Sequence, residues 1–139
     1  MRLFVYGTLL DPDLRALVAG RPLAARPAVL RGWRRWRLRG RTYPVILPDV
    51  RGAVAGAVIE GVDAAALARL IVYEGPGYRL RPVRPRLDGH RSEDIEALVF
   101  VPAVRRAVAG AWTEPEWRRR HRRATLAILR RGASSSAHI

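Results

Sequence analysis

The first residues of the chain have the pattern of a buried strand followed by a turn that could bind an anion. Leu3 to Tyr6 form an apolar run with high β propensity, and Gly7 ends this run before a helix signal begins at Asp11. Such a turn directs several backbone N–H groups to one point, and the positive end of the following helix favours a carboxylate or phosphate there. The alternative is an ordinary strand-to-helix connection in which Gly7 only permits the turn.

Glu74 is the second candidate for chemistry. The helical period places it on the same face as Leu67, Leu70 and Ile71, so its carboxylate is expected to point towards the core. Desolvation on an apolar face disfavours negative charge, and an acid held in such a place can both accept and return a proton. In the alternative interpretation, the helix frays at Gly75 and Glu74 turns outward to pair with an arginine. The residue pattern leaves both interpretations open.

Other common chemistries have no basis in this sequence. The chain contains no cysteine, which excludes disulfides, zinc ribbons, thiolate nucleophiles and iron–sulfur clusters. His90, His121 and His138 lack the spacing of metal ligands, so no metal site is expected. No serine lies in a Gly-x-Ser-x-Gly elbow, and neither common phosphate-binding glycine motif occurs. The N-terminal turn and Glu74 therefore define the candidate site.

Two predicted helices position these candidates. The first begins after the N-cap residue Asp11 and stops at Gly20. Its apolar positions at helical spacing are Leu14, Leu17 and Val18. The second runs from Ala64 to Glu74, with Asp63 as its cap and the sequence Gly75-Pro76-Gly77 forcing its end.

Five further segments have extended or strand patterns: Ala28–Leu38, Tyr43–Pro48, Gly52–Glu60, Tyr78–Leu87 and Ile95–Val101. Gly56 indicates a bulge or a close backbone approach. Pro82 and Pro85 place their segment at a sheet edge, whereas the segment from Ile95 is apolar on both faces and is expected to be central. Asp88-Gly89 is a hairpin turn signal.

One C-terminal helix is predicted behind a capping box at Thr113–Glu116, with Trp117, His121, Ala124, Thr125 and Ile128 at helical spacing. The arginines at 118–120 and 122–123 are expected to form its solvated face. Residues 132–139 have no periodicity and are predicted to be a disordered tail. The four tryptophans are expected in the core or at a homodimer interface: Trp33, Trp36, Trp112 and Trp117.

The length and the order of elements define the fold class. A chain of 139 residues with 49% hydrophobic residues fits one domain, here residues 1–131. Strands interrupted by one helix and flanked by two others favour an α+β fold with a mostly non-parallel, strongly curved sheet. No apolar run is long enough to span a bilayer and no signal peptide pattern is present, so a cytoplasmic protein without membrane contact is expected.

The charge of the chain is strongly positive. The formal net charge is +14, and every basic residue apart from the three histidines is arginine, with no lysine, asparagine or glutamine in the chain. Arginine clusters can neutralise nucleic-acid phosphates. The absence of lysine, asparagine and glutamine favours instead a substitution bias along the whole chain. Such a bias raises the net charge without any selection for a binding partner. Nucleic acid is therefore not the expected partner.

Three motifs in this order carry a resemblance to a known family. They are Phe4-Val5-Tyr6-Gly7-Thr8-Leu9, Tyr43-Pro44 and Tyr73-Glu74-Gly75-Pro76-Gly77-Tyr78-Arg79. Together they resemble the γ-glutamylcyclotransferase-like superfamily over roughly residues 2 to 102. Thr8-Leu9-Leu10 is closer to the AIG2-like and γ-glutamylamine cyclotransferase branch than to the glutathione-pathway enzymes.

The resemblance implies a small, curved, barrel-like mixed sheet with two or three helices packed outside it. It also implies that a γ-glutamyl amine or peptide cyclises to 5-oxoproline and releases its amine, without a cofactor. Glu74 would be the general acid/base. The implied substrate-binding residues are Tyr6, Gly7, Thr8, Leu9, Tyr43 and Tyr78. The alternative from another functional class is a non-catalytic binding protein of the same fold, which could use its arginine-rich surface for nucleic acid.

Overall fold

A computed structural model describes residues 1–89 and 92–132 and shows the predicted α+β fold. The strands are β1 (Leu3–Val5), β2 (Ala25–Arg37), β3 (Pro44–Ile59), β4 (Tyr78–Val83), β5 (Arg86–Leu87), β6 (Glu93–Asp94) and β7 (Ala97–Pro102). The helices are α1 (Pro12–Ala19), α2 (Ala64–Glu74), α3 (Glu114–Arg120) and α4 (Arg122–Arg130). A short 3-10 turn, Thr8–Leu10, joins β1 to α1.

The strands form one mixed sheet in the order β4-β7-β1-β3-β2-β5-β6. The β1–β7 pair is parallel, and the other pairs are antiparallel. The expected edge position of β4 and inner position of β7 are confirmed, and β1 also lies between two neighbouring strands. Gly56 makes the predicted close approach, because a Cβ atom there would lie 2.3 Å from the Val5 carbonyl oxygen.

Both faces of the sheet are buried, which explains its curl. Leu3 and Val5 of β1 pack with α1, α2 and the C-terminal helices in one core. Phe4 alternates with them and packs on the other face, in a second core made of strand residues. Since the described helices contribute nothing to this second core, the sheet must curl around its own apolar face to bury it.

The first two helices have the predicted bounds for local reasons. The Asp11 carboxylate accepts hydrogen bonds from the amides of Asp13 and Leu14, and Gly20 ends α1. The expected apolar face of α1 is wrong at one position: Leu17 is exposed, and Arg15 is buried instead. Helix α2 ends at Glu74 because Gly75 adopts a φ of +83°.

Two strand predictions need correction. The segments predicted as Tyr43–Pro48 and Gly52–Glu60 form the single strand β3, because β2 pairs with both. The register shifts between Arg31 and Trp33, where residues 49–52 of β3 form a bulge. The segment predicted as Tyr78–Leu87 forms two strands, β4 and β5, and the hairpin signal at Asp88-Gly89 follows β5, which pairs antiparallel with β6 as a hairpin requires. His90 lies outside the described residues.

The prediction of a single C-terminal helix is wrong, because the helix breaks at His121 into α3 and α4. The described residues therefore contain four α-helices, where two or three were expected. At about 3.6 residues per turn, a straight helix would place Trp117 and Leu126 on opposite faces. The break lets both side chains enter the same core. Thr113 holds the N-cap position, but its side chain makes no capping hydrogen bond.

The remaining sequence predictions have mixed outcomes. Trp112 and Trp117 are buried in the core, and Trp33 and Trp36 are half-buried against it. Of the predicted tail, Gly132 lies in a turn and 133–139 lie outside the described residues. No helix within the described residues has the length and apolar character to cross a membrane.

Candidate active site

A narrow cavity lies at the C-terminal end of β1. All seven residues proposed from the sequence line it: Tyr6, Gly7, Thr8, Leu9, Tyr43, Glu74 and Tyr78. Phe4, Val5, Pro44 and Phe100 complete the lining. The enclosed volume is about 20 Å³, which is room for about one water molecule. Three segments that are far apart in the sequence therefore meet at one point.

The turn at Gly7 lines this cavity and leaves backbone donors outside its own hydrogen bonds. The Leu10 amide donates to the Gly7 carbonyl oxygen at 3.0 Å, and the Asp11 amide donates to that of Thr8 at 3.1 Å. The amides of Thr8 and Leu9 precede the first of these bonds, so the turn does not consume them. Such donors suit an anionic group at the cavity wall.

The space around Gly7 leaves no room for a side chain. Its φ is −128°, a value that other residues also adopt. A Cβ atom at this position would lie 2.9 Å from Cγ of Pro44. A side chain at Gly7 would therefore be excluded by the proline ring and not by a positive φ.

Tyrosine hydroxyls connect the cavity wall to the surrounding strands. The Tyr6 hydroxyl donates to the Phe100 carbonyl oxygen at 2.7 Å, and the Tyr78 hydroxyl donates to that of Pro44 at 2.8 Å. The hydroxyls of Thr8 and Tyr73 lie 2.7 Å apart and share a hydrogen bond. These buried bonds fix the wall without requiring a charge.

Glu74 supplies the one carboxylate among the described residues that line the cavity. It is the last residue of α2, is half-buried and lines the cavity, so the inward orientation is the one observed, although Ile71 on the same predicted face is exposed. Burial raises the pKa of Tyr6, Tyr73 and Tyr78 above the ordinary tyrosine value, and the negative charge of Glu74 raises all three further. The negative charge of Glu74 therefore disfavours ionisation of the surrounding phenols, which stay protonated.

Sequence reasoning missed two side chains that shape the site. Tyr73 could have been found, because it lies three residues after the fully buried Leu70 on the inner face of α2. Arg35 gave no such signal. Its guanidinium donates to the Tyr6 carbonyl oxygen at 2.8 Å and lies over the Trp112 ring, 5.4 Å from the ring centroid. An arginine in an arginine-rich strand does not reveal from sequence that it braces a loop.

The C-terminal arginines are not uniformly solvated, which corrects the sequence prediction. Arg122 is half-buried and pairs with Asp11, which is fully buried, and with Asp13. Arg118 also approaches Asp11, at 3.5 Å. Burial opposes the charge of Asp11, but hydrogen bonds from Arg122 and the Leu14 amide hold the pKa of its carboxyl below the ordinary value. The last helix is thereby attached directly behind the cavity turn.

The described residues show no metal-binding cluster. Within 1–89 and 92–132, no group of three or more histidines and acids is placed to hold a metal ion. His121 lies at the junction of α3 and α4, and its carbonyl oxygen accepts a hydrogen bond from the Thr125 hydroxyl at 2.9 Å.

The family model for "Gamma-glutamyl cyclotransferase, AIG2-like" matches residues 3–119. Among curated relatives, protein AIG2 C of Arabidopsis thaliana is 37% identical over 116 residues, covering 83% of this chain and 70% of the relative. AIG2-like protein A of the same plant is 33% identical over 121 residues, covering 86% and 73% respectively. The residues that the family model matches include the N-terminal turn and Glu74.

Solved structures share this fold. The solution structure of an Arabidopsis thaliana protein superposes with a TM-score of 0.71 at 31% identity, over 92% of this chain and 87% of that chain. A yeast γ-glutamyl cyclotransferase specific to glutathione has a TM-score of 0.61 at 15% identity, over 84% of this chain and 75% of that chain. At that identity the second likeness shows the fold alone.

Proposed function

Because the chain belongs to the AIG2-like γ-glutamyl cyclotransferase family, we propose that it cyclises γ-glutamyl amines or peptides to 5-oxoproline and releases the amine. The observation that carries this proposal is the meeting of the Gly7 turn and Glu74 in one cavity. The turn supplies donors for an anion, and Glu74 supplies a group that can transfer a proton. Both are needed for this reaction.

The first step is to hold the substrate in a reactive shape. We expect the amides of Thr8 and Leu9 to bind the α-carboxylate of the γ-glutamyl group. This contact places the α-amine close to the γ-carbonyl carbon of the same molecule. A flexible chain is thereby converted into a near-attack conformer, which can supply a large part of the rate enhancement.

The second step is a proton transfer through Glu74. The carboxylate takes a proton from the α-ammonium, and the resulting amine attacks the γ-carbonyl carbon and forms the ring C–N bond. Glu74 returns this proton to the leaving nitrogen as the original amide C–N bond breaks, and the second proton that the ring nitrogen must lose passes to the released amine, which departs in its ammonium form. Protons and charge balance without a cofactor, and the neutral tyrosines Tyr6 and Tyr78 hold the wall during the reaction.

Substrate must widen the cavity. Its present volume of about 20 Å³ is far below the roughly 300 Å³ or more of a ligand pocket. The side of the cavity formed by Pro44 lies against Gly7, so separation of these two residues would open it. We expect binding to be accompanied by this local movement.

The test is release of 5-oxoproline from a panel of γ-glutamyl amines and dipeptides. The same compounds with an acetylated α-amine serve as controls, because they cannot cyclise. Release from at least one free-amine substrate, and from none of the acetylated ones, is expected. Binding of 5-oxoproline without any release would favour the non-catalytic binding protein, and absence of both would contradict the proposal.

A further inference from the structure

Arg15 is buried in α1, where an arginine is unexpected. Its residue exposure is 6%, and its neighbour Leu14 is fully buried. A buried guanidinium destabilises the fold unless its N–H groups find acceptors. The position of these acceptors therefore indicates what the side chain does.

The acceptors of Arg15 are backbone carbonyls of the cavity turn and of the connection after α1. Its Nη1 donates to the carbonyl oxygens of Leu9 at 3.0 Å and Leu10 at 3.3 Å. Its Nε donates to the carbonyl oxygen of Leu23 at 2.9 Å. One rigid guanidinium thus joins the back of the turn to a fixed point outside it.

These contacts fix the two peptide planes that close the turn. A trans peptide unit is planar, so the direction of a carbonyl also sets the direction of the next residue's N–H. Holding the Leu9 carbonyl orients the Leu10 amide, which donates to Gly7. Holding the Leu10 carbonyl orients the Asp11 amide, which donates to Thr8. Arg15 therefore acts on both hydrogen bonds that define the turn.

We propose that Arg15 is a positioning residue, which holds the Gly7–Leu10 turn from behind in the geometry that binds the substrate carboxylate. The role in substrate binding rests on the function proposed above, whereas the hold on the turn does not. Lysine cannot replace it fully, because an ammonium on a flexible stem lacks the planar fork that reaches Leu9 and Leu23 together.

The test compares Arg15→Lys with Arg69→Lys. Arg69 is a matched control, because its Nη1 donates to the Ala19 carbonyl oxygen at 3.1 Å, at the opposite end of the same helix. With the best substrate of the panel, Arg15→Lys should raise KM about tenfold, the effect of roughly 1.4 kcal/mol, and leave kcat within about threefold. A merely structural role would lower the folded fraction and the apparent kcat, with KM unchanged.

Amide hydrogen exchange provides a readout that does not depend on activity. In Arg15→Lys, the amides of Leu10 and Asp11 should exchange at least about tenfold faster, while those of Val99 and Val101 in β7 keep wild-type rates. Arg69→Lys should leave all four unchanged. If Arg15→Lys does not fold, Arg15→Gln, which retains one donor group, takes its place.

Three outcomes decide the matter. Wild-type exchange at Leu10 and Asp11 in the Arg15 variant overturns the positioning role. Faster exchange with unchanged KM overturns its link to the substrate but keeps the hold on the turn. If the wild-type protein releases no 5-oxoproline, the proposed function fails, and the exchange rates still decide whether Arg15 holds the turn.

Discussion

The cavities at the two ends of strand β1 differ in volume and in the exposure of their polar groups. At the C-terminal end is the narrow cavity of about 20 Å³, whose polar groups are buried and hydrogen-bonded. At the N-terminal end is a cavity of about 780 Å³. The wide cavity is lined by Met1, Arg2, Glu60, Gly61, Pro82, Val83, Arg84, Glu96, Ala97 and Leu98.

The larger cavity and the buried, hydrogen-bonded polar groups therefore lie at opposite ends of β1. In the wide cavity, Arg2 and Glu60 lie 3.8 Å apart with side chains 48% and 44% exposed, so water screens the pair. In the narrow cavity, the tyrosine and threonine hydroxyls have fixed partners and Glu74 lies among them. Catalysis depends on preorganised groups in a water-poor place, which only the narrow end provides.

The largest expected effect is that of Gly7→Val. The new side chain would collide with the Pro44 ring, which lies 2.9 Å from the position of a Cβ atom, and would fill the cavity. Calorimetry should detect no 5-oxoproline binding. The control is Gly61→Asn in the wide cavity, where asparagine tolerates the φ of +69° and binding should persist. Wild-type affinity in Gly7→Val would remove this turn from the site.

Glu74→Gln should reduce kcat by about 10² to 10⁴-fold, because the amide cannot transfer a proton. KM and thermal stability should change little, because the size of the side chain and most of its hydrogen bonding are kept. Glu96→Gln at the wide end is the matched control and should retain wild-type kinetics. Equal activity of the two variants would mean that Glu74 has a structural role.

Arg122→Ala should lower the free energy of unfolding by about 1.5 to 3 kcal/mol at pH 7, because it removes hydrogen bonds to the buried carboxylate of Asp11. The pKa of Asp11 is lowered in the fold, so its stabilisation is complete above about pH 4 and disappears as the pH falls through the folded pKa. Urea unfolding should therefore show a smaller difference from wild type at pH 3.

Arg120→Ala is the control for this measurement. Arg120 pairs with Glu116 at 3.8 Å on the surface of the adjacent helix, so its loss should be nearly neutral at both pH values. An equal effect of the two arginine substitutions would show that Arg122 has no special link to the cavity turn.

The smallest effect is expected at the wide end. Glu60→Gln removes the exposed pairs with Arg2 and Arg26 and should change the free energy of unfolding by less than about 1 kcal/mol. Thermal unfolding at low and high salt measures this change, and turnover should stay at the wild-type rate. A loss of turnover in this variant would link the wide cavity to the reaction.

Local signals allowed much of the fold to be predicted. The bounds of α2 follow from a cap at Asp63 and a stop at Gly75, and both act within one helical turn. The break at His121 could not be read in this way, because it depends on Trp117 and Leu126 sharing a core with distant strands. Long-range packing, not local propensity, decides that boundary.

The candidate site was predictable in its members but not in its shape. The period of α2 indicated that Glu74 faces inward, and the family motifs indicated the Gly7 turn. The role of Arg15 was hidden because its partners are carbonyl oxygens, which every residue carries. The narrowness of the cavity depends on the contact between Gly7 and Pro44, and no sequence spacing reports that distance.

The most direct test of the account is an NMR titration of isotope-labelled protein with 5-oxoproline. The amides of Gly7, Thr8, Leu9 and Tyr78 should shift as ligand is added, because their residues line the narrow cavity. Those of Arg2, Gly61 and Leu98 at the wide end should not move. Shifts confined to Arg2, Gly61 and Leu98 would contradict the assignment of the site to the C-terminal end of β1.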